Sequence, residues 1–155
     1  YDQDSISTHC RVSPDGKIMY RAESENRRVI AYDLDPSTGA PSRERLFVTI
    51  PEELGFPDGA TVDADGAYWV AVAKPTLENG GIARYTPDGK LDLFIKGPVP
   101  IMTMVAFGGA DMSTLYITTG RLERFLPNKA PPQAGSLFAV ATKFRGFPET
   151  KFRAA

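Results

Sequence analysis

A unit of about 45 to 50 residues recurs three times along this chain, and that recurrence limits the folds open to it. Each unit opens with a short apolar segment, turns, and runs into a strand carrying an aromatic residue. A third strand with its own aromatic follows, and then a more charged fourth. The second-strand aromatics are Tyr20, Trp69 and Tyr116; those of the third strands are Tyr32, Tyr85 and Phe138. Alternating apolar and polar positions mark the strands as Lys17–Ala22, Arg28–Asp33 and Arg45–Ile50 in the first unit. The second unit reads as Ala60–Asp63, Ala67–Val72, Gly81–Tyr85 and Leu91–Ile95. The third reads as Met104–Phe107, Thr114–Thr118, Ser136–Val140 and Lys151–Arg153.

Turn chemistry separates these segments. Ser13-Pro14-Asp15-Gly16-Lys17 and Thr86-Pro87-Asp88-Gly89-Lys90 are two copies of one hairpin signal, proline presetting φ and glycine taking the left-handed position. Asp63-Ala64-Asp65-Gly66 is a third tight turn, and Asp33 to Gly39 a longer one. With 14 glycines and 13 prolines in 155 residues, long helices have no room.

The expected fold is therefore all-β: a β-propeller of about three four-stranded blades, at approximately 5–50, 56–96 and 101–153 of one partial propeller domain, 1–155. An irregular β-sandwich is the competing reading, and it needs the aromatic recurrence to be coincidence. Blades bury their faces only against neighbouring blades, and closed rings use about four to eight. Three leave two open flanks. Missing blades or a second copy would have to complete the ring, if anything does.

Charge and composition exclude some partners. The 18 basic and 19 acidic residues are interspersed and form no basic stripe, which argues against nucleic acid. No apolar run approaches the roughly 18 residues of a membrane span. Cys10 is the only cysteine, so an intrachain disulfide and a multi-cysteine zinc site are out. A lone cysteine fits a reducing compartment such as the cytoplasm. Cys10 is expected as a small buried hydrophobe whose side chain diverges from that of His9 along the strand. The chain opens Tyr1-Asp2-Gln3-Asp4 without methionine, a start that suggests processing, truncation or partial coverage.

The run Phe56-Pro57-Asp58-Gly59-Ala60-Thr61-Val62-Asp63-Ala64-Asp65-Gly66, followed by Tyr68-Trp69-Val70-Ala71, resembles the most recognisable segment of the SMP-30/gluconolactonase family. Ser13-Pro14-Asp15-Gly16-Lys17 through Tyr20, Thr103 through Gly109, Thr114 through Thr119, Ala134 through Phe138 and Gly146 through Glu149 resemble that family in the same order. The likeness maps to the family's C-terminal half. It implies a six-bladed propeller whose central channel holds one divalent metal, often calcium, with zinc or manganese as the other candidates. It also implies hydrolysis of a sugar lactone or related ester. The metal would polarise the lactone carbonyl while a carboxylate assists attack by water.

Asp58 is the leading catalytic candidate. Its Pro-Asp-Gly sits before a short first strand that already has its own turn at Asp65-Gly66, so hairpin formation does not require it. The resemblance makes it a metal ligand and the general base; as a plain residue it would cap a turn. Family members carry a ligating asparagine five residues before the Ser-Pro-Asp-Gly turn, and here Thr8 and His9 stand there instead. A threonine hydroxyl is a weaker ligand than an amide carbonyl, and an imidazole suits zinc better than calcium. Thr103 and Arg121 are the candidate substrate-binding residues, with an ordinary strand residue and a solvated cation as their bland alternatives. Asp63 and Asp65 read as turn residues. The polar stretch Lys74–Gly81 reads as a surface loop or part of a lid. Remaining family ligands would lie upstream of this chain. The competing function is a non-catalytic β-propeller that binds a small molecule or protein, or an interaction scaffold of two copies, and the change at Thr8-His9 favours that reading.

Overall fold

The computed structural model describes residues 7–74, 76, 78–121, 123 and 129–148, with the side chains of Ser7 and Thr8 outside that set. Three antiparallel sheets follow one another. The first runs β1 (Ser7–Val12), β2 (Ile18–Glu23), β3 (Arg28–Leu34), β4 (Pro41–Thr49) in chain order. The second runs β5 (Phe56–Val62), β6 (Tyr68–Ala73), β7 (Gly81–Tyr85), β8 (Leu91–Lys96), again in order. The third holds β9 (Met102–Gly108), β10 (Thr114–Thr119) and β11 (Leu137–Ala141). Its expected fourth strand, Lys151–Arg153, lies outside the described residues. Among the described residues there is no helix, and none long and apolar enough to cross a membrane.

The first strands of the sheets lie side by side, β5 between β1 and β9. That is the propeller arrangement: sheets packed face against face around an axis lined by their innermost strands.

Why the sheets stack follows from β6. Alternate side chains of a strand face opposite ways, and here both directions are apolar. Tyr68, Val70 and Val72 join Tyr20, Ala22, Val29, Ala31 and Ile50 in one core. Trp69 and Ala71 join Ile82, Val105, Leu115 and Ile117 in another. A strand buried on both faces reads as a continuous hydrophobic run, as Tyr68-Trp69-Val70-Ala71-Val72 does. Each large side chain buried this way contributes about 1.5 to 3 kcal/mol.

The open flanks account for two departures from expectation. Tyr20 and Trp69 are 1% and 0% exposed, but Tyr116 at the equivalent place is 39% exposed, because among the described residues no fourth sheet covers its side. Cys10 is exposed rather than buried. It pairs with Arg21 on the uncovered face of the first sheet, where Val12 and Leu46 are exposed as well. Its side chain does diverge from that of His9, which turns into the second sheet.

The turns form as their chemistry requires. Gly16, Gly66 and Gly89 take φ of 72°, 83° and 80°. The two Pro-Asp-Gly hairpins nevertheless serve different connections, β1 to β2 at Ser13–Lys17 and β7 to β8 at Thr86–Lys90. After β11 the chain crosses the turns at the far end of the inner strands. There Ala64 N donates to Arg145 O at 2.8 Å and Gly146 N to Met112 O at 2.9 Å, which fastens the third sheet to the second.

Candidate functional site

The same irregularity interrupts all three inner strands. Ser7 pairs with Glu23 and Cys10 with Arg21, so β1 carries one extra residue across Thr8-His9. Pro57 pairs with Val72 and Ala60 with Val70, an extra residue across Asp58-Gly59. Met102 pairs with Thr119 and Met104 with Thr118, so Thr103 is the extra residue of β9. A β-bulge frees its residues from the ladder and re-aims a side chain, which is why bulges gather at functional sites. Thr8, Asp58 and Thr103 thus occupy one register position in three neighbouring strands.

Gly59 lets these strands approach. A Cβ on it would lie 2.6 Å from Thr103 O and 2.8 Å from the Met104 Cα, and would also strike the Met104 sulfur. Without a side chain there, β9 closes onto β5 beside Asp58. From the other side, Arg11 Nε donates to Ala60 O at 2.6 Å.

Asp58 is half-buried, and burial raises its carboxyl pKa, offset in part by the backbone N–H of Gly59. Among the described residues no cation and no other side chain bonds it. An uncompensated carboxylate held partly out of water is costly unless a cation or a proton joins it. Nearby, the Thr103 and Thr118 hydroxyls lie 2.8 Å apart.

His9 turns toward the second sheet. Its Nε2 is 2.9 Å from the Tyr68 hydroxyl and its ring is stacked on the Tyr68 ring. Burial, with Arg11 adding to it, lowers its pKa to about 4, so the ring is neutral at pH 7. A metal bound at Nε2 would have to displace the tyrosine. Arg121 is exposed after β10 and pairs with Glu123 at 3.2 Å. At Lys74–Gly81, Lys74 pairs with Glu78 at 2.8 Å, and both border a cleft of about 320 Å³ with Arg27, Glu52, Glu53 and Phe56.

At the Asp58 and Thr103 bulges the side-chain donors are oxygens, the chemistry a hard cation such as calcium prefers. Among the described residues no three His, Cys, Asp or Glu side chains come together as a metal cage. The described residues beside this bulge therefore offer one carboxylate and the Thr103 and Thr118 hydroxyls, which fit a hard-cation site as part of its donor set.

Reading Asp63 as a turn residue was incomplete. Its Oδ1 does accept the turn N–H groups of Asp65 and Ala67. Its Oδ2 also receives the indole N–H of Trp69 at 2.9 Å and the guanidinium of Arg84. Arg84 sits in a strand of otherwise apolar neighbours, and that isolated cation was the available signal.

A family model described as SMP-30/Gluconolactonase/LRE-like region matches residues 1–121. A 6-deoxy-6-sulfogluconolactonase from Pseudomonas putida is 34% identical over 148 residues, covering 95% of this chain and 50% of that protein. A pentonolactonase from Haloferax volcanii is 41% identical over 105 residues, 68% of this chain and 35% of its own length. The crystal structure of a calcium-binding protein, regucalcin, from Agrobacterium tumefaciens superposes with a TM-score of 0.83 at 29% identity, covering 96% of this chain and 50% of that one. This chain spans half or less of the length of these relatives.

Proposed function

Because this chain belongs to the SMP-30/gluconolactonase/LRE-like family, we propose that it contributes the Asp58-bearing half of a channel site that hydrolyses a sugar lactone or related carboxylic ester with a divalent cation, calcium foremost. The observation that carries the reading is Asp58 itself, a half-buried carboxylate with no cationic partner among the described residues, on a bulge shared in register with Thr8 and Thr103. Two relatives bear the names of lactonases, which supports the substrate class.

A bound divalent ion would supply Lewis acidity toward the lactone carbonyl oxygen. Asp58 would be one of its ligands, with Thr8 at the matching position of β1. The chain's own chemistry is then simple. The Asp58 carboxylate accepts a proton from the water that attacks the carbonyl carbon; the ring C–O bond then breaks and Asp58 returns that proton to the departing ring oxygen, giving the hydroxy acid. The Thr103 and Thr118 hydroxyls would hydrogen-bond the sugar hydroxyls, and Arg121 would meet the polar end of the substrate. Closure of the channel takes further blades or a second copy, and the cytoplasm is the compartment a lone cysteine fits.

A non-catalytic binding propeller is the second reading. The engagement of His9 with Tyr68, beside a threonine in place of an amide ligand, favours it. Hydrolysis of gluconolactone and pentonolactones decides between the two, followed with calcium, manganese or zinc added and then with EDTA. The lactonase reading expects turnover that EDTA abolishes and that Asp58→Asn lowers at least about a thousandfold. Wild-type rates from Asp58→Asn would end it.

A further inference from the structure

The bulge that carries Asp58 is gripped from the first sheet. The turn between β2 and β3 overhangs the start of β5, and the Ser24 hydroxyl donates to Pro57 O at 2.6 Å. Pro57 O lies in the peptide plane that leads into the Asp58 Cα. Holding that carbonyl fixes the plane from which the carboxylate hangs. Arg11 Nε fixes the carbonyl of Ala60 on the other side of the bulge, also at 2.6 Å.

The turn bearing Ser24 is itself anchored. Glu23, directly before it, is 5% exposed and receives Arg21 Nη2 at 2.7 Å and Arg28 Nε and Nη2 at 3.1 and 2.7 Å. Arg27 N closes the turn on Ser24 O at 3.1 Å, and Ile50 N donates to Arg27 O at 2.7 Å. A hydroxyl on such a base is a fixed point rather than a mobile contact. Bulged backbone lacks the ladder that would otherwise hold it, so an external anchor governs where its side chain points.

We propose that Ser24 is a positioning residue for Asp58, holding the carboxylate in its working orientation through the Pro57 carbonyl. The role rests on the lactonase reading for its chemical consequence, though not for its geometry. Misplacing a reacting group by about 1 Å costs up to about a hundredfold in rate.

Three measurements on the native protein test it, using Ser24→Ala and Ser24→Thr with Asp58→Asn as control. Ser24→Ala is expected to lower kcat about tenfold to a hundredfold with KM changed less than about threefold. Calcium affinity, read by calorimetry without substrate, falls about tenfold alongside it. Ser24→Thr, which keeps the hydroxyl, restores both. A crystal structure of Ser24→Ala shows the Asp58 carboxylate displaced. Unchanged kcat and calcium affinity in Ser24→Ala overturn the proposal, as does a loss that threonine fails to restore. An unmoved Asp58 in that crystal structure overturns it too, whatever the activity. Full activity in Asp58→Asn sinks the lactonase reading instead, and the crystal structure then still decides the positioning.

Discussion

Asp63 and Arg84 form a buried two-point ion pair, with Nε and Nη2 of the guanidinium 3.0 and 2.9 Å from the same carboxylate oxygen and Asp63 wholly out of water. Arg84 also reaches Asp92, and its guanidinium lies 4.0 Å from the ring centroid of Phe144, which follows β11. Trp69 packs edge-on against Phe144 and Phe107 at 5.3 and 5.4 Å. One carboxylate thus ties the β5–β6 turn to β6 and β7, and through Arg84 to the third sheet.

Removing that carboxylate leaves the Trp69 indole N–H and the Nε and Nη2 of the buried Arg84 without their acceptor, with only the partly exposed Asp92 still on its Nη1. Asp63→Ala is expected to cost about 3 to 5 kcal/mol, the usual consequence of breaking a buried pair from one side. Urea unfolding of the two proteins at pH 7 measures it, and a loss under 1 kcal/mol would contradict the account.

Tyr85 is 2% exposed, and its hydroxyl is the one buried side-chain polar atom among the described residues without a hydrogen-bond partner. Burial first, and then Glu53, raise its pKa to about 12, so it stays a phenol. Tyr85→Phe removes an unsatisfied group without opening a cavity. Stability is expected unchanged or raised by up to about 1 kcal/mol, as read by the thermal midpoint.

Gly59 has no room for a side chain against the Thr103 carbonyl. Gly59→Ala must push β9 away from β5, with a cost of about 1 to 3 kcal/mol from overpacking. The same shift moves Asp58 relative to Thr103, so on the proposed lactonase function hydrolysis should fall more than stability alone explains. Rates measured well below the unfolding transition separate the two effects.

His9 makes stability depend on pH with a defined sign. Folded, it takes its proton near pH 4; unfolded, near the ordinary 6.5. Between those values the unfolded chain binds more protons, so stability declines as pH falls from about 6.5 toward 4 and levels off below. The effect is about 3 kcal/mol at the most. His9→Gln, which can still bond Tyr68, should lose this component, so the difference between the two proteins' unfolding free energies should change across that window and stay flat above pH 7.

Much of the fold was legible from local chemistry. Gly81–Tyr85 appears with the expected ends, and the other strands given bounds, which leaves out β1, fall within a few residues of theirs, because turn glycines and alternating patterns act over short range. The bulges were not legible. An extra residue in a strand leaves no mark in hydropathy, so the shared register of Thr8, Asp58 and Thr103 emerged only once the partner strands were paired. Cys10 was misread because burial on a sheet face depends on whether another sheet covers it.

Alternation, turn residues and the recurring aromatics by themselves determined three successive antiparallel sheets and singled out Asp58, since each of these signals is written in residues adjacent along the chain. Tertiary structure alone decided that Ser24, 33 residues away, grips the Pro57 carbonyl, that Arg84 answers Asp63 across 21 residues, and that His9 turns to Tyr68. Those contacts join segments distant in sequence, and their partners are chosen by how the sheets pack around the axis rather than by any local preference.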